Sequence, residues 1–256
     1  MQSLENYFDT YGLGARVKPA FLLVFPTVIS IFVLYEPSRA WGNAALTIAL
    51  FFGILTFASN QMSSKGNNIQ DKLFMKWGGA ATTIILRHSD HRLDRHTKDR
   101  YMDRLENLIP NFQKISREQE LHSLIEADEM YKTASIFLRE NTRDVKSYPL
   151  IFKENIAYGF SRNLYAFKYY GMAISILSLS ASSLVVWFNH IKESSLEQLD
   201  LLFSIPFSYI GLELILISFT LMWIFMINEK WVERRAFAYA RALLAACEES
   251  SELNKT

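Results

Sequence analysis

The fold class of this chain follows from one stretch, FSIPFSYIGLELILISFTLMWIFMI at Phe203–Ile227, in which Glu213 is the only charged side chain. A helix of about 20 apolar residues crosses the ~30 Å hydrocarbon core of a bilayer. A helix on the surface of a soluble protein presents a polar face, whereas this stretch has apolar residues on every face. The stretch therefore predicts a transmembrane helix.

Three further apolar stretches have the same character: AFLLVFPTVISIFVLY at Ala20–Tyr35, NAALTIALFFGILTFAS at Asn43–Ser59 and YGMAISILSLSASSLVVWF at Tyr170–Phe188. The first is short for a span and contains Pro26, so we expect a kink or an extension by flanking residues. The chain is predicted to be an all-α membrane protein with four transmembrane helices. The alternative is a pair of fully buried helices in a soluble protein.

The basic residues predict the orientation of the spans. Of the 27 Lys and Arg residues, 18 lie between residues 60 and 169, and the two short hairpin loops contain only Arg39 and Lys192. Because basic residues are enriched on the cytoplasmic side, we expect both termini and the central segment inside the cell. The predicted domains are a cytoplasmic N-terminal segment at 1–19, a transmembrane hairpin at 20–59, a cytoplasmic helical domain at 60–169, a second transmembrane hairpin at 170–227 and a cytoplasmic C-terminal helix at 228–256.

Apolar positions at helical spacing predict three helices in the central segment, at Arg95–Leu108, Arg117–Glu140 and Leu150–Lys168. The last of these is expected to run into the third span. In the same way, Asn228–Glu248 is expected to extend the fourth span into the cytoplasm. Helices that continue from the membrane into the cytoplasm would link the spans mechanically to the cytoplasmic domain.

Glu213 is the most informative single residue, because an acidic side chain at the middle of a span costs ~2.5–3.5 kcal/mol on insertion scales. One interpretation is a ring of glutamates from several subunits around a cation-selective pore, with Tyr209 and Thr220 on the same helical face. The other is a protonated glutamate bonded to a serine of a neighbouring span. Four spans hardly enclose a conduction path, so a pore would lie on the axis of a homo-oligomer, for which we favour a tetramer.

The densest polar run is RHSDHRLDRHTKDRYMDR at Arg87–Arg104. Guanidinium and imidazolium groups bind phosphates, which favours an oligonucleotide or cyclic-nucleotide site. A metal site formed by His88, His91, His96, Asp90 and Asp94 is an alternative, although the spacing matches no standard site. A solvated helix face is the simplest explanation.

Two more stretches complete the predicted ligand site: the basic loop at 139–146 and the run of aromatic and basic residues at 155–168, which also suits a helix entering the membrane interface. The candidate phosphate-binding residues are Arg87, His88, Arg92, Arg95, Arg139, Arg143, Lys146, Arg162 and Asn163. We expect no catalytic residue, metal or cofactor, because no GxSxG motif or comparable signature is present. The single cysteine, Cys247, excludes an intrachain disulfide.

Three stretches also resemble a known family: LGARVKPA at Leu13–Ala20, WGGAATTIILRHSD at Trp77–Asp90 and FLRENTRDVKSYPLIFKENIAYGFSRNLYAFK at Phe137–Lys168. They are similar to bacterial four-span membrane effectors that are encoded beside nucleotidyltransferases in anti-phage defence, as in the Hailong system. The resemblance implies an oligomeric channel of the inner membrane that is controlled by a nucleotide signal or by the partner nucleotidyltransferase. It assigns no role to any residue.

Together with this resemblance, the sequence patterns favour an ion channel that is gated from the cytoplasm. Depolarisation of the bacterial inner membrane during infection is what the resemblance implies. The alternative is a non-conducting scaffold in the membrane that recruits a soluble enzyme through its central domain. The channel requires Glu213 and an oligomeric axis, whereas the scaffold requires neither.

Overall fold

The computed structural model describes residues 10–35, 41–192 and 205–249, and these residues form helices and turns with no strand. Four of their helical segments are long and apolar enough to cross a membrane: Thr10–Leu34, Asn43–Ile84, Lys168–His190 and Phe207–Met226. The prediction of an all-helical chain with four membrane-length segments is confirmed. The ends of the predicted domains at 1–9 and 250–256, and residues 203–204 of the fourth span, lie outside the described residues.

The helices are numbered here in chain order. They are α1 at Thr10–Leu34, α2 at Trp41–Trp77, α3 at Ala81–Ile84, α4 at Arg95–Leu108, α5 at Arg117–His122, α6 at Leu124–Asn141, α7 at Pro149–Ala166, α8 at Lys168–Val186, α9 at Phe207–Leu221 and α10 at Glu229–Glu249. Short π-helical turns follow α8 at Trp187–Ile191 and α9 at Met222–Met226.

Several helix boundaries differ from the sequence predictions. The first span continues through Pro26 and is extended at its N-terminal side to Thr10. The predicted helix at Arg117–Glu140 is interrupted at Ser123, whose backbone is extended and whose hydroxyl accepts the Glu126 N–H to begin α6. Phe167 separates α7 from α8, and the extended Ile227 separates the fourth span from α10. The two expected continuous helices therefore each contain a break.

The chain divides into two compact units. The first, called the membrane unit, comprises the described residues of Met1–Asn67 and Phe160–Glu229. In it α1, α8 and α9 pack on one another, with Leu23, Leu212, Leu216 and Trp223 among the buried side chains. Large apolar side chains on its spans are more than half exposed, including Leu46, Phe52 and Phe57. Such a surface is unfavourable in water and suits lipid.

The second unit, called the helical unit, comprises the described residues of Asn68–Gly159 and Lys230–Thr256. Its core contains Leu86, Leu105, Tyr131, Leu138 and Leu243, all fully buried. The C-terminal helix α10 buries one face, which includes Val232 and Phe237. Side-chain caps from Asp94 and Ser116 begin α4 and α5, so the polar run between them is held at defined helix ends.

Candidate functional site

Arg87 is held by internal contacts of the helical unit. Its guanidinium donates from Nε to Asp128 Oδ1 at 2.8 Å and from Nη2 to Asp128 Oδ2 at 2.6 Å, and Nη2 also donates to the Gly78 carbonyl at 2.6 Å. The hydrogen bond to Asp128 raises the pKa of Arg87. A bidentate pair of this kind fixes the guanidinium in the plane of the carboxylate. Arg87 therefore fastens its loop to α6.

The backbone after Arg87 is bound by the buried carboxylate of Glu120. Glu120 accepts the His88 N–H at 2.9 Å and the hydroxyl of Tyr131 at 2.7 Å, both on Oε2. The pKa of Tyr131 is raised, mainly by burial and secondly by the hydrogen bond of its hydroxyl to Glu120. The imidazole Nε2 of His88 lies 2.9 Å from the Ile115 carbonyl, so this nitrogen carries the proton and donates it. The loop is thus tied to α5 and to the segment before it.

Lys98, on α4, binds the backbone of the same loop. It is a buried lysine, 4% exposed, and its Nζ donates to the carbonyls of Arg87 and Asp90. Burial lowers the pKa of Lys98, because desolvation disfavours the charged form. Removing the ammonium would take one donor from the Arg87 carbonyl, which keeps the Asp90 N–H, and the Lys98 donor from the Asp90 carbonyl. Lys98 therefore has a structural role at the cavity described next.

An open cavity of about 700 Å³ lies beside this loop. Four cationic side chains and two carboxylates line it, together with two histidines: Arg95, Lys98, Lys114, Arg117, Asp90, Asp99, His88 and His91. Pockets for small molecules commonly measure ~300–1,000 Å³. The four cationic side chains outnumber the two carboxylates, so the cavity suits an anion.

The cations of the cavity differ in how freely they reach a ligand. The Arg95 side chain is 90% exposed and has Asp99 at 3.7 Å, a long and solvated contact. Lys114 donates to Asp103 at 2.7 Å, and this bond raises the pKa of Lys114. Arg117 is exposed at the first position of α5. Arg95 and Arg117 are therefore the two side chains best placed to contact a phosphate group.

Lys114 and Arg117 are not among the ligand residues predicted from the sequence. Their position at the cavity depends on the turn before α5, where Ser116 and Gln119 form a reciprocal capping box. The Ser-x-x-Gln pattern announces this helix start in the sequence. The pattern does not predict that the turn folds against the Arg87–Asp94 loop, since that contact depends on Glu120 and His88.

Four other predicted ligand residues lie in the helical unit but not among the residues lining the cavity. Arg92 pairs with Asp90 and with Glu233 at 2.9 Å, and its guanidinium lies 3.7 Å from the ring centroid of Phe237. It therefore binds α10. Arg139 is exposed and donates to the Ser135 carbonyl at 3.3 Å. Arg143 and Lys146 are exposed in the turn that Asp144 stabilises before α7.

Arg162 and Asn163 belong to the membrane unit, where both are buried. Asn163 donates from Nδ2 to the Ala15 carbonyl at 2.5 Å, within the π-helical turn Leu13–Val17 of the first span. Asn163 also lies against Gly66 of α2, where a Cβ would come within 1.9 Å of Asn163 Oδ1. Both residues therefore contribute to helix packing, and we leave them out of the anion site.

In the fourth span, Glu213 accepts the hydroxyl of Ser183 on Oε2 at 3.0 Å. This is the contact that the second interpretation of Glu213 expects. Thr220 donates to the Leu216 carbonyl of its own helix at 2.8 Å, and the ring of Tyr209 lies 5.3 Å from that of His190. Among the described residues, no group of three His, Cys, Asp or Glu side chains lies close enough to hold a metal ion.

The fold and the site define a class: an all-helical protein compatible with several membrane passes, with a compact helical unit that contains a cation-lined cavity. No family model, curated protein or solved structure matches the chain.

Proposed function

We propose that the protein is an oligomeric ion channel of the bacterial inner membrane, gated from the cytoplasm by a phosphate-bearing ligand. The observation that carries the proposal is the cation-lined cavity in a chain with four membrane-length helices. An anion bound there would be held by Arg95 and Arg117, on α4 and α5. A nucleotide is the ligand class that combines phosphate charge with a size suited to about 700 Å³.

Conduction is supported by Glu213 on the fourth span. A carboxylate among apolar side chains is costly in lipid and is typical of ion and proton pathways. We favour a homo-oligomer, with a tetramer as the preferred state. The cytoplasmic side follows from the basic residues, which are concentrated between residues 60 and 169. On this basis both termini and the cavity are inside the cell.

The biological outcome follows from the resemblance to effectors of anti-phage defence. Opening would depolarise the inner membrane and stop growth during infection. The signal is either a nucleotide, made by a partner nucleotidyltransferase, or the partner enzyme itself. Helix α2 has residues in both units and is unbroken from Trp41 to Trp77, so its backbone connects the second span directly to the helical unit.

The test is ion flux in liposomes that contain the purified protein and a voltage-sensitive dye. Cyclic di-AMP and a mixture of short random-sequence single-stranded DNA serve as probes, with inorganic phosphate as a third. We expect at least one probe to change the flux, and the variant Arg95→Ala/Arg117→Ala to lose this response. Arg139→Ala, an exposed arginine outside the cavity lining, is the matched control. Absence of flux with every probe, from folded protein, would contradict the proposal.

A second candidate function is a non-conducting scaffold, supported by an exposed apolar patch on the helical unit. Leu121 and Ile125 are 78% and 77% exposed, and Leu124 between them is 44% exposed. Such a patch is typical of a protein-binding surface. The mass of the detergent-solubilised protein distinguishes the two functions, because a strict monomer cannot form a pore on an oligomer axis.

A further inference from the structure

Four polar atoms inside the membrane unit have no hydrogen-bond partner among the described residues. They are Ser175 Oγ, Ser182 Oγ, Trp223 Nε1 and Glu213 Oε1. The first three belong to fully buried side chains. Leaving a polar group unpaired in the hydrocarbon region costs several kcal/mol. Groups of this kind in protein interiors are normally satisfied by buried water, which makes two to four hydrogen bonds.

These atoms lie on α8 and on the fourth span, two helical segments that pack on each other. Ser175 and Ser182 are seven residues apart, which places them on the same face of α8. Trp223 contacts Gly171 near the start of α8, and Glu213 contacts Ser183 further along it. With a rise of 1.5 Å per residue, Gly171 and Ser183 are ~18 Å apart along the helix axis. The row therefore covers more than half of a ~30 Å hydrocarbon core.

Polar side chains continue past Glu213 toward the other end of the spans. Tyr209 precedes Glu213 by one helical turn on α9, and its ring lies 5.3 Å from that of His190. Glutamate and histidine are among the side chains that form proton relays in membranes. With this extension the polar side chains reach the C-terminal end of the third span.

The chemistry of the row favours water over a metal ion. The Nε1–H of Trp223 only donates, so it cannot be a metal ligand, whereas it can donate to a water oxygen. Serine hydroxyls both donate and accept, so they bind water in either orientation. One carboxylate is present along the row, and no ionisable side chain occurs at residues 19–34 or 43–64 of the first two spans. Lys168, at the start of α8, is bonded to the Ile224 carbonyl at 3.2 Å.

We propose that this row, defined by Ser175, Ser182, Trp223 and Glu213, binds water within each chain and carries protons to and from Glu213. The Glu213 carboxylate accepts a proton from a hydronium ion and releases it to water, with Tyr209 and His190 on the far side. The inference rests on the proposed channel function and names the proton as its ion. Each subunit of the proposed oligomer contributes one such row.

Infrared spectroscopy of the protein in lipid nanodiscs tests the inference at Glu213. We expect a carboxylic C=O band that shifts in D₂O and that disappears in Glu213→Gln. Ser175→Ala/Ser182→Ala should slow the D₂O shift at least ~10-fold, equivalent to ~1.4 kcal/mol in the barrier. The matched control is Ser180→Ala, since Ser180 is an exposed serine of the same helix. A band that does not exchange, or that exchanges equally in the double variant, would overturn the inference.

Flux measurements separate this inference from the proposed channel. Liposomes with a trapped pH dye report protons, and a potassium electrode reports potassium, with the same three probes as above. Proton flux that Glu213→Gln removes would support both proposals. Potassium flux without proton flux would overturn the proton route and leave the channel. If the Glu213 band exchanged but neither ion crossed the membrane, the proposed channel would be overturned, and proton exchange along the row would still be supported.

Discussion

Gly171 lies against the indole ring of Trp223, so closely that a Cβ at position 171 would come within 2.2 Å of Trp223 Cε2. The contact joins the beginning of α8 to the π-helical turn at the end of the fourth span. Because Trp223 is fully buried, its ring has little room to move. The third and fourth spans approach each other here only because residue 171 has no side chain.

The first prediction concerns this contact. Gly171→Ala should lower the free energy of unfolding by about 1–3 kcal/mol, the usual cost of overpacking a core. Gly53→Ala is the matched control, since a Cβ at Gly53 meets nothing within 4 Å. The control lacks this clash and should not be destabilised, because alanine forms a helix more readily than glycine. Unfolding by SDS titration in mixed micelles measures both, and equal effects of the two variants would contradict the packing described.

The second prediction separates structural from ligand-binding arginines. Arg87→Ala should destabilise the protein by about 1.5–3 kcal/mol, because it removes a paired, charged hydrogen bond to Asp128. Arg95→Ala should leave the stability unchanged, since this side chain is 90% exposed, and should weaken binding of the active probe. Thermal unfolding and titration with the probe, on both variants, check the two effects. If Arg95→Ala destabilised the protein and Arg87→Ala only weakened binding of the probe, the anion site would lie at Arg87 instead.

The third prediction is a pH dependence at the start of α4. The hydrogen bond from the Thr97 N–H lowers the pKa of Asp94 below its ordinary value of 3.8. The stabilisation is therefore complete above that value and is lost as pH falls through the folded-state pKa. Asp94→Asn keeps a helix cap without a titrating charge. The variant should match wild type near neutral pH and lose stability less steeply as the pH falls. Melting curves across the acid range measure this. If the melting temperatures of the two proteins fell in parallel with pH, the prediction would be wrong.

The fourth prediction concerns Cys247 on α10, the only cysteine of the chain. Burial raises the pKa of its thiol to about 12. Because the thiolate is the reactive form, the native protein should not react with a thiol reagent near pH 8. The SDS-unfolded protein should react with one equivalent. Rapid labelling of the native form would mean that α10 is not packed as described.

The helices were largely predictable from sequence because their signals are local. Asp94 and Pro110 delimit α4, whose predicted and observed bounds agree at Arg95–Leu108. The interruption at Ser123 also has a local signal, a serine three residues before Glu126, which the longer apolar periodicity concealed. The break at Phe167 has no such signal, since neither proline nor glycine marks it.

The candidate site was less predictable because its contacts are distant in sequence. Arg87 meets Asp128 across 41 residues, and Arg92 meets Glu233 across 141. Periodicity and composition identify a basic segment but not which guanidiniums are already paired. Only Arg95 and His88 of the predicted ligand residues line the cavity. The burial of Asn163 depends on a π-helical turn in another helix, which no sequence pattern indicated.

The central claim is that the chain crosses the membrane four times with the cavity inside the cell. Single cysteines in a Cys247→Ser background test it most directly, using a membrane-impermeant maleimide on spheroplasts. Arg95→Cys, at the cavity, should react only after lysis, and Lys192→Cys, in the loop after the third span, should react on intact spheroplasts. Labelling of Arg95→Cys on intact spheroplasts would contradict the claim.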